Sequence, residues 1–268
     1  NSNTISWNPV TDATEYLVQC ALDAMFQNVL ATSGWITETN YLFTGLESGQ
    51  TYFYRVRARD VANNMSPYSA TVYSVQSPGR VLEPGWNLVS FDVNPENADL
   101  DEVLLEISGS YNIVRSYEGG AFRTYLPTLP LEMNDLQQMN PRRGYWIYMT
   151  QRDTLAVAGS PIPDNTAINL NAGWELVSYL PNLAQAPSMA LYSIDESLRL
   201  ARGYDPQSGY SSYYPGFAML SDLDTMRPGY GYWLYMDAAD QLIYSSTASP
   251  TALEAPQRRD RKEPPALT

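Results

Sequence analysis

Near its start the chain alternates apolar and polar residues in three stretches, Ile5-Ser6-Trp7, Tyr16 to Cys20 and Tyr52 to Ala58. That is the period of half-buried strands. Turn-forming clusters such as Asn8-Pro9 and Glu47-Ser48-Gly49 separate them, and the pattern predicts a β-sandwich over residues 1–78. Further on, Val89, Phe91 and Val93 alternate with Leu88, Ser90 and Asp92 as another strand. Leu100, Val103, Leu104 and Ile107 then fall at i, i+3, i+4 and i+7, the stripe of an amphipathic helix. A hairpin is predicted from Ile113 to Tyr125, turning at Glu118-Gly119-Gly120. A helical turn from Asp135 to Met139, a strand through Gly144-Tyr145-Trp146 and a closing strand from Asp153 to Val157 complete the unit.

The whole pattern then repeats. Gly85-Trp86-Asn87-Leu88-Val89-Ser90 returns 88 positions later as Gly173-Trp174-Glu175-Leu176-Val177-Ser178. The stretch Met139 to Met149, with Gly144-Tyr145-Trp146, returns 87 positions later as Met226 to Met236, with Gly231-Tyr232-Trp233. One deleted residue between the two blocks reconciles the shifts, and the loop after the first strand is its expected place. The second copy keeps the helix stripe at Ala190, Leu191 and Ile194, with Pro187 at the first helical position. It predicts a hairpin from Leu200 to Tyr214, a helical turn from Asp222 to Met226 and a closing strand from Asp240 to Tyr244. Duplication of a folding unit is commoner in extended surface proteins than in enzymes, whose sites need one arrangement of unlike groups.

The first 78 residues resemble a bacterial fibronectin type III domain. The match runs through Trp7-Asn8-Pro9-Val10, Ala13-Thr14-Glu15-Tyr16, the corner and strand from Leu46 to Asp60, and Asn64-Met65-Ser66-Pro67-Tyr68-Ser69. The resemblance makes Tyr52 a corner tyrosine whose hydroxyl ties the corner to upstream backbone. Only Asn1 to Thr4 remain for the family's first strand, so the chain is expected to begin inside a domain. The two copies resemble a repeat of large secreted and cell-surface proteins of bacteria and archaea, with a Gly-Trp-Asn-Leu-Val-Ser strand first and a Gly-Tyr-Trp strand near the end. That resemblance implies a location, extracellular or at the cell surface, and carries over no catalytic residue.

The expected fold class is therefore mainly β: a fibronectin III-like sandwich (1–78), then two homologous small β-rich domains with one helix each (79–161 and 162–246). A tail (247–268) follows, Pro-rich and containing Arg258, Arg259, Arg261 and Lys262. It lacks apolar periodicity and is expected to be extended unless a partner holds it. With an incomplete first domain at the other end, it is a candidate for head-to-tail assembly, by charge or by strand addition.

Charge and composition narrow the functions. Asp plus Glu number 29 against 16 Lys plus Arg, for a net charge of −13, which disfavours nucleic acid and anionic membranes as partners. No apolar run approaches the ~20 residues of a membrane span. The chain has no histidine, which removes imidazole-based triads and most zinc sites. Cys20 is the one cysteine, so no internal disulfide can form, and its alternating surroundings make it a buried small hydrophobe.

Asp99, Asp101, Glu102 and Glu106 cluster along the helix. They read as its solvated face rather than as an acid/base pair or a calcium site, because the second copy does not keep them and no calcium-loop spacing occurs. Asn64-Met65-Ser66 is a glycosylation sequon. The better binding candidates are aromatic: Tyr204, Tyr210, Tyr213 and Tyr214 on the second hairpin, with Tyr117, Phe122 and Tyr125 on the first. Flat rings beside Ser and Gly suit a partner protein's surface or stacking against sugars. The sequence thus points to a non-enzymatic structural or adhesion protein, with its ends suggesting a filament subunit, and with no cofactor, no metal and no catalytic residue expected. Its partners would be copies of itself or other surface proteins, with polysaccharide second. The alternative is a carbohydrate-binding accessory region of a secreted hydrolase.

Overall fold

The computed structural model describes residues 2–47, 49–76, 79–163 and 166–244. The tail and its Arg258, Arg259, Arg261 and Lys262 lie outside the described residues. The first domain contains β1 (Ser2–Ser6), β2 (Glu15–Ala21), β3 (Val29–Ile36), β4 (Asn40–Thr44), β5 (Thr51–Arg59) and β6 (Val72–Gln76). Strands β1 and β4 pair as one sheet, and β3-β2-β5-β6 run side by side as the other. Alternation in β2 and β5 sends Val18, Cys20, Tyr52 and Tyr54 inward, where they meet Phe43 and Ile5 of the facing sheet. This is the expected fibronectin III-like sandwich. Tyr52 closes its corner, its hydroxyl accepting the Glu47 amide at 2.7 Å.

The first copy follows as β7 (Arg80–Leu82), β8 (Gly85–Val89), β9 (Val93–Asn94), α1 (Leu100–Val103), β10 (Tyr111–Glu118), β11 (Ala121–Tyr125), β12 (Tyr145–Met149), β13 (Asp153–Leu155) and β14 (Ala158–Pro161). The second is β15 (Ala167–Leu170), β16 (Gly173–Ser178), α2 (Pro187–Ala190), β17 (Leu198–Asp205), β18 (Gly209–Tyr213), β19 (Gly231–Met236) and β20 (Asp240–Ile243). Each copy has a four-stranded antiparallel sheet, β11-β10-β12-β8 in one and β18-β17-β19-β16 in the other, and a two-stranded ribbon, β13-β7 or β20-β15. Registers match: Trp86 stands opposite Tyr148 as Trp174 stands opposite Tyr235. The offset is 88 at β8/β16 and 87 at α1/α2, so the missing residue falls in the loop between them.

The helix stripe is buried as expected, with Leu100, Leu104 and Ile107 at 0% exposure. Each such side chain contributes about 1.5–3 kcal/mol relative to an exposed one. The helix itself is shorter than the stripe suggests. A single α-turn ends at Val103, and Leu105–Ile107 continue as a 3-10 turn. Spacings of three and four serve both conformations, so the stripe fixes the buried face and not the helix type. The helical turns expected at 135–139 and 222–226 are displaced to Leu131–Met133 and Ala218–Leu220. The aspartates that suggested them cap strand edges instead: Asp135 accepts the Thr124 amide and Asp222 accepts the Ser212 amide.

The first domain and the first copy share one sheet. Ala158 and Gly159 of β14 pair with β6, and Ser160 and Pro161 pair with β9. Gly159 permits the crossing, because a Cβ there would stand 2.2 Å from the Asn94 carbonyl oxygen. Val75 of β6 packs onto the core of the first copy, and Ser2 donates to Glu106 through its amide (2.8 Å) and hydroxyl (3.0 Å). Glu106, expected as a solvated helix residue, is thus exposed yet tied to the first domain.

Candidate functional site

Each four-stranded sheet has a second apolar face, turned away from its helix. In the first copy it carries Trp86, Leu88, Trp146 and Tyr117, and in the second Leu176, Trp233 and Tyr204; Leu88, Trp146 and Leu176 are buried together between the copies. Two aromatic ladders result. One runs Tyr148–Trp86 (5.2 Å), Trp86–Trp146 (6.1 Å), then across to Tyr204 (4.9 Å) and Tyr210 (6.3 Å) of the second copy. The other runs Tyr235–Trp174 (5.1 Å), Trp174–Trp233 (5.9 Å), then across to Tyr117 (5.1 Å) and Phe122 (6.1 Å) of the first. Corresponding separations agree to 0.2 Å, and every ring pair meets edge to face. That geometry is worth about 0.5–1.5 kcal/mol per pair beyond area burial.

The contacts are reciprocal, as in an isologous dimer interface contained in one chain. Backbone bridges join Val89 to Tyr230 and Arg143 to Val177. The Ser90 amide donates to the Gly229 carbonyl at 3.0 Å and the Ser178 amide to the Arg142 carbonyl at 3.3 Å. Their hydroxyls also reach across, Ser90 to the Tyr230 carbonyl at 2.8 Å and Ser178 to the Pro141 carbonyl at 2.5 Å. The motif tyrosines hold the loops that make these contacts. The Tyr232 hydroxyl accepts the Arg227 amide at 2.8 Å, and the Tyr145 hydroxyl accepts the Asn140 amide. Both are the five-residue return made by Tyr52. Burial pushes the Tyr145 phenol far up and the Tyr232 phenol up to about 12, so both stay neutral.

Arg80 departs from this symmetry. It is buried, its guanidinium 3.5 Å over the Tyr230 ring, donating to the carbonyls of Leu88 and Gly229 (2.9 Å). Burial lowers its pKa, opposed mainly by Tyr230. Register places Ile168 in the corresponding position of the second copy. A cleft of about 360 Å3 lies there, lined by Asn140, Arg142, Ile168, Glu175 and Leu176 among others.

The aromatic candidates therefore divide. Tyr117, Phe122, Tyr204 and Tyr210 contact the tryptophan of the other copy, with Phe122 50% and Tyr210 58% exposed. Tyr125 is a correction: it is buried in the first core beside Tyr111 and offers no face to a ligand. Tyr213 packs partly on the second core, and Tyr214 is half-buried, its amide donating to the Ser221 hydroxyl. Cys20 is buried as expected, and desolvation pushes its thiol up to about 11, against a hydrogen bond with Tyr54. Asn64 lies in an exposed loop with its amide donating to Asp60. Asp99 accepts from Gln138, and no group of three or more metal-ligating side chains gathers among the described residues. The interface roles of Gly144, Gly231, Ser90, Ser178 and Arg80 went unread in the sequence. The signal for the first four was present, since the two motifs kept in both copies are the segments that meet.

No family model matches the chain. No curated protein matches it either. Among solved structures it is similar to the chitinase ChiA74 from Bacillus thuringiensis, at 18% identity over 61% of this chain and 25% of that one, with a TM-score of 0.22. Chicken CNTN1 FN1–FN3 domains align at 12% identity over 91% of this chain and 94% of theirs (TM-score 0.22). An α-L-rhamnosidase from Dictyoglumus thermophilum aligns at 10% over 93% of this chain and 44% of its own (TM-score 0.23). The chain thus spans a quarter of the chitinase, and likenesses this faint carry no functional argument.

Proposed function

We propose that this chain is a non-enzymatic structural or adhesion element of a cell surface or extracellular assembly. The observation that carries the reading is the use made of the duplicated motifs: their backbone bridges and aromatic ladders join one copy to the other. The sheet shared through β14 joins the first domain to the first copy as well, so all three units are connected by backbone pairing. Resemblance to secreted and surface repeats supports the location. Sedimentation velocity over a concentration series tests the assembly reading, with ordered self-association or capture by a surface partner expected. A strictly monomeric chain that hydrolyses a glycan would overturn it.

The second reading, a carbohydrate-binding accessory region, has one observation in its favour. Each ladder presents a ring at the surface toward its outer end, Tyr148 in one and Trp174 in the other, both 37% exposed. Soluble polysaccharides that quench tryptophan emission in wild type but not in Trp174→Ala would favour it over the first.

A further inference from the structure

Residues 1–78 contain three cationic side chains, Arg55, Arg57 and Arg59, all at alternate positions of β5. They lie on the outer face of the sheet, opposite Gln19, Leu17 and Glu15 of β2. Three rings interleave with them. Arg55 sits between Phe26 (4.0 Å) and Tyr68 (3.9 Å), Arg57 between Tyr68 (4.7 Å) and Trp35 (5.6 Å), and Arg59 over Trp35 (4.4 Å).

The rings are placed by dedicated backbone. Phe26 has φ +57°, a region that β-carbon-bearing residues seldom occupy, in a loop whose amides at Met25, Gln27 and Asn28 all donate to Asp23. The Tyr68 segment is laid along β5 by the amides of Ser66 and Ser69, which donate to the carbonyls of Ala58 and Val56. One of the three arginines pairs with a carboxylate. Arg59 pairs with Glu15 at 2.6 Å, Arg55 donates to the neutral Gln19, and the buried Nε of Arg57 has no acceptor.

We propose that this stripe docks an extended acidic segment of a partner protein, with Asp or Glu at every second residue. Alternate residues of a strand advance about 7 Å, so three guanidinium groups in a row match the side-chain repeat of a second extended chain. Rings on both sides hold the forks of Arg55 and Arg57, and Trp35 with the Glu15 pair holds that of Arg59, which reduces the ordering cost of binding and suits bidentate carboxylate recognition. A polyuronate is the less favoured ligand, because guanidinium groups already flank Tyr68 and Trp35 and little ring face remains for sugar. This inference goes beyond the structural reading and is independent of it, since peptide binding does not require assembly.

The test is fluorescence anisotropy of a labelled peptide of alternating Asp and Ser against the full chain at low salt. The Asn/Ser peptide and polygalacturonate are the comparison probes. Expected results are salt-sensitive binding of the Asp/Ser peptide alone, about tenfold weaker in Arg55→Gln. Glu15→Gln removes the competing carboxylate from Arg59 and tightens binding about two- to fivefold. A purely structural stack predicts no gain from that change. Equal binding of the Asn/Ser peptide, tighter binding of polygalacturonate, or no response to Glu15→Gln overturns the proposal. If Arg55→Gln does not fold, the Glu15→Gln comparison decides alone.

Discussion

Gly231 faces Gly144 across the junction of the two copies: a Cβ on Gly231 would lie 3.2 Å from the Gly144 Cα and 2.8 Å from the Val89 carbonyl oxygen. A Cβ on Gly144 would lie 2.9 Å from the Val177 carbonyl oxygen. The glycine that opens each Gly-Tyr-Trp strand is therefore kept by the nearness of the other copy's backbone.

Gly231→Ala should destabilise the chain by about 1–3 kcal/mol through overpacking against backbone that cannot turn aside. Gly209, at φ +83° in a hairpin turn with open space around its Cβ position, makes the comparison site. Its alanine variant should lose stability through backbone strain while leaving the contacts between copies intact. Thermal melts with near-UV circular dichroism separate the two, and an unchanged melt for Gly231→Ala would refute the close-approach account.

Trp146→Ala and Tyr204→Ala remove partners in one ladder. Each single change should cost several kcal/mol for the tryptophan and less for the tyrosine. A double-mutant cycle should return a coupling of about 0.5–1.5 kcal/mol. Additive losses would mean that the two rings do not touch in solution.

Arg80→Ile installs the residue found at the corresponding position of the second copy. It removes the charged donors from the Leu88 and Gly229 carbonyls and the cation from the Tyr230 ring. A loss of about 2–3 kcal/mol in chemical denaturation is expected. A neutral or stabilising result would place Arg80 among buried charges that an apolar residue can replace.

Alkaline pH should unfold the chain as its buried phenols are forced to ionise. Desolvation pushes Tyr54 and Tyr232 up from 10.0 to about 12, and Tyr244 goes well above its usual value. Between those limits the unfolded state has already lost the protons that the folded state retains. The stabilisation is therefore complete below pH 10 and disappears as pH rises through the folded values. Circular dichroism and tyrosinate absorbance should change together above pH 10; tyrosinate formation complete by pH 11 in a folded chain would contradict the burial.

Much of this was legible in the chain. Leu100, Val103, Leu104 and Ile107 announced a buried face because burial selects residues one by one, and Glu118-Gly119-Gly120 announced its hairpin because two positive φ angles call for glycine. Tyr117 and Tyr204 announced contact but not with what, since spacing along a chain says nothing about which distant strand will face it. Strand β14 was invisible: Ala158-Gly159-Ser160-Pro161 has little intrinsic strand preference and takes its extended form from neighbours on both sides. The alternate arginines of β5 were visible as a pattern, and only the rings brought from two other segments make them a stack.

Strand β14 also sets a route for tension. It hands its pairing from Val75 and Gln76 to Val93 and Asn94 within four residues, so a pull applied to either domain meets backbone hydrogen bonds of the other. The seam behaves as a stitch and not as a swivel. Under mechanical load the first domain and the first copy should yield in a single event, with the second copy giving way separately at the aromatic junction.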